Sequence, residues 1–284
     1  MNSSRPYVGR FAPSPTGRLH LGSMVSAVAS YLDARAHKGS WLVRIEDLDP
    51  PREVKGASDD ILRTLEGFGL EWDGEVVYQS KRHGLYQNAL EQLLQHELAF
   101  GCICTRKKLA AAGGLEVYPG WCRDGLPLDT TPRLYRFRMP NGENLAWNDR
   151  IQGPQSVPRE GVGDVVILRA DGHWAYHLAV VVDDAEQGVT DVVRGADLLS
   201  STAAHVALKQ ALKCPSIRYA HVPVVTNDQG QKLSKQTLAT PVEVAQASFI
   251  LQHTFRHLGL PPAEIDCPKK MLEEARAHWK KMHC

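Results

Sequence analysis

The 284 residues carry a net charge of +1, and 43% are hydrophobic against 23% charged, the balance of an ordinary globular protein. A near-neutral chain of this size has room for one large or two modest domains and excludes a broad basic surface, so any contact with nucleic acid must be local. The N-terminus lacks the basic-then-apolar pattern of a signal peptide and no apolar run is long enough to span a membrane; a soluble, cytoplasmic monomer with no DNA or membrane partner is expected.

Tyr7–Ala12 reads as a strand, Ser23–Lys38 as a helix stopping at Gly39, and Trp41–Glu46 as a second strand, a βαβ unit that implies a parallel sheet. Ser58-Asp59-Asp60 starts a helix with Ile61, Leu62, Leu65 and Phe68 on one face, and Leu85–Leu98 repeats the helical period. Composition changes between Phe100 and Gly163, which is rich in Gly and Pro and holds one alternating strand, Leu134–Met139. It reads as an insertion with a local fold of its own. The α/β pattern then returns, with strands at Val165–Arg169, Val189–Arg194 and Tyr219–Val225 and helices at Leu198–Leu212, Val242–Leu258 and Met271–Lys281. Asp171-Gly172 signals a hairpin turn, and Tyr176–Val182 is a further apolar run. Trp279-Lys280-Lys281 reads as a solvated helix end in preference to a local RNA contact.

The loop Pro13-Ser14-Pro15-Thr16-Gly17-Arg18-Leu19-His20-Leu21-Gly22 joins the first strand to the first helix. Unpaired N–H groups at a helix N-terminus favour an anion, and Gly17 and Gly22 permit close approach of the backbone, so the loop is a candidate phosphate cradle with His20 as an added donor. Far downstream, Lys232-Leu233-Ser234-Lys235-Gln236 offers two lysines and a hydroxyl after a Gly-containing turn. Six cysteines are present, and Cys102, Cys104 and Cys122 cluster. Three thiolates suit a closed structural zinc site, although the spacing is not that of a common zinc finger and a set of reduced thiols fits as well.

His20-Leu21-Gly22-Ser23 and Lys232-Leu233-Ser234-Lys235-Gln236 together resemble the paired nucleotide motifs of class I aminoacyl-tRNA synthetases, with Ser23, Leu233 and Gln236 as departures. Arg10-Phe11-Ala12-Pro13-Ser14-Pro15-Thr16-Gly17 and Arg44-Ile45-Glu46-Asp47-Leu48-Asp49 narrow the resemblance to the glutamyl and glutaminyl branch. It implies an α/β, Rossmann-like catalytic domain in two halves, residues 1–99 and 164–240, with helices on both faces of a parallel sheet. A zinc-binding insertion at 100–163 interrupts it, and a short helical C-terminal region, 241–284, follows.

The implied reaction is attack of the glutamate carboxylate on the α-phosphate of ATP, with magnesium accompanying the ATP. Its demands are positioning and positive charge on the transition state. The resemblance gives catalytic roles to His20, Lys232 and Lys235. It gives ATP contacts to Pro13, Thr16, Gly17, His20, Gly22, Ser23, Ser234 and Lys235. Glutamate needs arginine for its carboxylates and an acid for its ammonium. Arg10 and Arg194, each at a predicted strand end, fit the first need and Glu46 the second, with Tyr176 as a ring wall. The resemblance assigns Arg10, Phe11, Ala12, Pro13, Ser14, Glu46, Tyr176 and Arg194 to that pocket, and Tyr118 as the fourth metal ligand beside Cys102, Cys104 and Cys122.

After Gln236 there is room for two or so helices and none for the usual anticodon reader. That resembles the stand-alone paralogs of the family. It implies that L-glutamate is activated without tRNA and transferred to queuosine in the anticodon loop of tRNA(Asp). The rival readings are a short synthetase charging the 3′ end of tRNA(Glu) and a non-catalytic glutamate- or RNA-binding module.

Overall fold

The computed structural model describes residues 5–225 and 240–283. β1 (Val8–Phe11), α1 (Leu21–Ala36) and β2 (Ser40–Ile45) form the βαβ unit, with β1 and β2 parallel and Val8 opposite Ser40. α1 is apolar nearly all round, and Met24, Val28, Ala29 and Leu32 are fully buried, as in a helix packed on every side. It ends because Lys38 takes a positive φ of 55° and Gly39 lies against Tyr7 so closely that a Cβ would come within 2.4 Å of the Tyr7 carbonyl oxygen.

α2 (Ala57–Gly67), β3 (Val77–Tyr78), α3 (His83–Gln95), β4 (Ala99–Cys102), α4 (Arg106–Ala111) and β5 (Leu134–Phe137) follow. Next come β6 (Leu145–Asp149), β7 (Gly153–Val157), α5 (Arg159–Val162), β8 (Val166–Leu168), α6 (Tyr176–Glu186), β9 (Asp191–Gly195) and α7 (Leu199–Ala211). β10 (Arg218–Val222), α8 (Ala247–His257) and α9 (Pro268–His283) complete the described chain.

The strands β1, β2 and β3 pair in parallel, and β9 and β10 form a second parallel pair extended by β6 and β7. The two groups meet where β9 runs beside β1: the Thr190 amide donates to the Val8 carbonyl at 2.9 Å, and the Val8 amide donates to the Thr190 hydroxyl at 2.9 Å. One core, around Trp41, Phe68, Phe255 and Trp279, lies under α1, α2, α8 and α9. A second, around Tyr86, Phe137, Leu178 and Leu208, lies under α3, α6 and α7. Helices therefore cover both faces, as the resemblance implies.

Two placements differ from the sequence pattern. The hairpin β6–β7 lies within the compositional insertion, yet β6 pairs with β10, Asp149 opposite Tyr219, so it extends the main sheet. β8, past the insertion, pairs with β5, which pairs with β4, in a separate antiparallel sheet. The strands β3, β4, β6 and β7 had no sequence signal. β3 is two residues long, β4 is four residues of small and apolar type, and the hairpin mixes small and polar residues without a sustained apolar alternation.

The C-terminal helix is also seated differently. Trp279 is 1% exposed, so the solvated-end reading fails at this residue. Its indole N–H donates to Asp33 Oδ1 at 2.9 Å, and the same buried carboxylate accepts from the Tyr7 hydroxyl and the Arg150 guanidinium. Asp33 thereby ties α1 to β1, α9 and the turn after β6. Burial acts to raise its pKa, but Arg150, Tyr7 and Trp279 hold it below the usual value of 3.8. A depressed native pKa contributes stability that is present above the unfolded value and lost as pH falls through the native one. Asp33→Asn should therefore cost about 3 kcal/mol at neutral pH, the scale of breaking a buried ion pair. Urea titrations should show the gap to the unsubstituted protein narrowing below about pH 4.

Candidate active site

A cavity of about 1640 Å³ opens at the carboxyl ends of β1, β2 and β9, where open α/β sheets place their ligands. Arg10, Phe11, Ala12, Pro13, Ser14, Thr16, His20, Gly22, Ser23, Glu46, Tyr176 and Arg194, all singled out from sequence, line it together. Gly17 lies in the same loop with φ at +129°, a conformation suited to glycine. Lys232, Ser234 and Lys235 lie outside the described residues.

One end of the cavity is built on buried charge. Asp184, near the end of α6, accepts from Arg10 Nε at 3.2 Å and from Arg44 Nη1 at 2.8 Å. Arg44, fully buried, also reaches Glu46 Oε1 at 3.3 Å and Asp183 at 3.7 Å. Asp183 in turn accepts from Gln79 Nε2 at 2.7 Å, Arg82 Nε at 2.7 Å and the Tyr86 hydroxyl at 2.9 Å. Burial raises the Glu46 pKa above its ordinary 4.5, and Arg44 and Arg10 oppose that rise. For Asp184, burial is outweighed by Arg10 and Arg44, and the carboxyl is held below 3.8.

In the same cavity, Arg194 Nη1 donates to the Tyr176 hydroxyl at 3.0 Å, while Nη2 donates to Thr202 Oγ1 at 2.8 Å and the Leu198 carbonyl at 3.2 Å. An acid, a guanidinium and a phenol lining one cavity can form a receptor for a small zwitterion that bears an anionic group.

The other end is the start of α1. His20 is its N-cap, with Nδ1 accepting from the Ser23 amide at 3.3 Å. In the neutral ring this leaves the proton on Nε2, so the histidine presents a donor there. The loop before it is pinned by Glu46 N to Pro13 O at 3.0 Å and Val54 N to Pro15 O at 2.9 Å. After residue 239 the chain returns to this loop: Pro241 bridges His20, Val242 N donates to Leu19 O at 2.9 Å, and Glu243 accepts from both Nη atoms of Arg18.

The sulfur atoms of Cys102, Cys104 and Cys122 all lie within 4.8 Å of one another, and all three residues are buried. The Tyr118 hydroxyl is 3.5 Å from both Cys102 Sγ and Cys104 Sγ, and the Cys104 and Cys122 sulfurs are 3.7 Å apart. Such a group can hold a metal ion. Arg136 supports it, with Nε donating to Cys102 Sγ at 3.4 Å and the guanidinium 3.9 Å from the centre of the Tyr118 ring. Cys104 and Tyr118 also line the large cavity, so the cluster shares a wall with it.

Asp183, Asp184 and Arg44 were not assigned from sequence. The available signal was two adjacent acids within the otherwise apolar run of α6, which a buried helix carries only with partners. Arg136 gave no signal, since its partners come from distant segments.

The sequence profile described as tRNA synthetases class I (E and Q), catalytic domain, matches residues 7–115 and 128–264. The chain belongs to that family. It is 55% identical to Glutamyl-Q tRNA(Asp) synthetase of Chromobacterium violaceum, over 98% of this chain and 95% of that protein. Its structure resembles that of glutamate-tRNA synthetase from Elizabethkingia anophelis, with a TM-score of 0.81 at 29% identity, covering 97% of this chain and 67% of that one. It also resembles a glutamate tRNA ligase from Elizabethkingia meningosepticum in complex with its amino acid, with a TM-score of 0.79 at 29% identity, covering 95% of this chain and 64% of that one.

The charge network sets an expectation for stability. Asp184→Asn removes the shared counter-charge of two buried arginines and should cost about 3–5 kcal/mol, measured by denaturant unfolding.

Proposed function

We propose that the protein activates L-glutamate with ATP, without tRNA, and transfers the glutamyl group to queuosine in the anticodon loop of tRNA(Asp). The observation that carries this reading is that one cavity joins a zwitterion receptor to a helix N-terminus, in a chain similar over nearly its full length to a protein named for this transfer. Glu46 pairs with the substrate ammonium, while Arg10, Arg194 and Tyr176 take its carboxylates. Phe11, Ala12, Pro13 and Ser14, which line the same cavity, complete the amino-acid pocket. The substrate carboxylate is already ionised near neutral pH, so the protein has to bring it to the α-phosphate and need not create a nucleophile. Thr16, Gly17, His20, Gly22 and Ser23 hold the ATP phosphates at the α1 N-terminus. Lys235, assisted by Lys232 and Ser234, neutralises the departing pyrophosphate. Magnesium arrives with the ATP as part of the substrate. The protein acts as a monomer.

The cysteine cluster suits zinc. A tetrahedral ion with bonds of about 2.3 Å to sulfur and 2.0 Å to oxygen has edges of roughly 3.8 Å between sulfurs and roughly 3.5 Å from sulfur to oxygen. The 3.7 Å and 3.5 Å separations match these. Burial and the neighbouring thiols push the Tyr118 phenol upward, so a bound cation is what would make it a ligand. The ion would staple the insertion and supply no catalytic step.

The reading is tested by pyrophosphate exchange into ATP. Glutamate alone should support exchange, and labelled glutamate should then appear on queuosine-containing tRNA(Asp). Exchange that requires tRNA, with label at the 3′ end of tRNA(Glu), would indicate a short synthetase; no exchange at all would indicate a binding module. Metal analysis should find about one zinc per chain, and its removal by chelation should lower the melting temperature. A metal-free preparation of unchanged stability would return the cysteines to plain thiols.

A further inference from the structure

His221, on β10, lies behind Arg194 and is fully buried. Its Nδ1 is 2.5 Å from Asp149 Oδ2, and its Nε2 accepts from Arg194 Nε at 3.0 Å. The two contacts demand one tautomer. An arginine N–H can only donate, so Nε2 must carry a lone pair and the ring proton must sit on Nδ1, facing the carboxylate. Asp149 is itself fixed. Its Oδ1 accepts from the backbone amides of Ile151 at 3.1 Å, Gln152 at 2.9 Å and His221 at 3.1 Å, so only Oδ2 faces the ring.

We infer that Asp149 and His221 are positioning residues for the amino-acid site: they orient the Arg194 guanidinium so that Nη1, with the Tyr176 hydroxyl, meets the substrate. This rests on the reading that Arg194 contacts glutamate. Asp149 reaches the site from the β6–β7 hairpin, which explains why that hairpin joins the main sheet beside β10. Three further features agree. Thr202 Oγ1 accepts from Arg194 Nη2 and lies 3.2 Å from His221 Nε2, closing the fork on the side away from Tyr176. The Tyr219 ring stacks with the imidazole at 6.2 Å, which sets its plane. Burial, with Arg194 and Arg10 nearby, holds the His221 pKa below 6.5 against the pull of Asp149, so the ring is neutral at neutral pH.

The substitution Asp149→Asn tests the relay. The three backbone amides still require an oxygen at Oδ1, so the new NH2 group takes the place of Oδ2 and donates to Nδ1. The ring proton then moves to Nε2 and opposes the Arg194 N–H. Glutamate KM in the exchange reaction should rise at least about tenfold, the scale of one lost charge-assisted hydrogen bond, while KM for ATP stays within about twofold. Adding His221→Gln restores an acceptor for Arg194 without needing the carboxylate, and should bring glutamate KM back toward the original value. Nitrogen-15 spectra of the unsubstituted protein, with labelled histidine, should show His221 protonated on Nδ1 alone.

A proton on Nε2, an unchanged glutamate KM in Asp149→Asn, or a double variant no better than the single one would overturn the relay. Arg194→Ala separates the two readings. If it leaves glutamate KM unchanged, the assignment of the amino-acid site fails. If it raises KM while Asp149→Asn does not, only the relay fails.

Discussion

The shared carboxylate of Asp184 ties helix α6 to the first two strands of the sheet. Two arginines from neighbouring strands, Arg10 on β1 and Arg44 on β2, are buried with it, and neither could remain charged there alone. Asp184 comes from α6, more than a hundred residues later in the chain, so burial of those arginines requires α6 to pack under the first βαβ unit. That packing carries Tyr176, at the other end of the same helix, to the cavity wall. Stability and site geometry thus depend on the same ion cluster.

The two ends of the cavity differ in how they are made. At the α1 N-terminus the positive field comes from backbone, with His20 capping the helix through Nδ1, and little beyond local geometry is needed. The end proposed for the amino acid is made of side chains from β1, α6, β9 and the residue after β2, with Arg10 and Arg194 held by partners on other elements. This suits the chemistry expected of each end. A phosphate is bound well by a generic helix start, whereas choosing one amino acid requires fixed positions for opposite charges.

The insertion reaches the main fold by two routes. The sheet of β4, β5 and β8 carries the cysteine cluster to the cavity wall, and the β6–β7 hairpin sends Asp149 and Arg150 into the main domain. Arg150 meets Asp33 under α1 and α9, while Asp149 meets His221 behind Arg194. A stretch that looks compositionally like an appendage therefore supplies counter-charges to both the core and the site.

Much of the candidate site is legible in the sequence because the residues proposed for it are local. Pro13 to Gly22 is a continuous stretch that runs from a loop into the first turn of α1, Glu46 follows a strand with a clear apolar pattern, and the cysteines with Tyr118 fall within one short segment. The helices α2, α3, α7, α8 and α9 were legible from their apolar patterns, and α1 from an apolar run that stops at Gly39. What sequence left open is what depends on long-range charge pairing. Asp33, Asp149, Asp183 and Asp184 look like surface acids by residue type, and Trp279 looks like part of a solvated helix end. Only the tertiary structure buries them, because a charge leaves water only when partners from distant segments arrive together, and neither periodicity nor spacing encodes which partners those are.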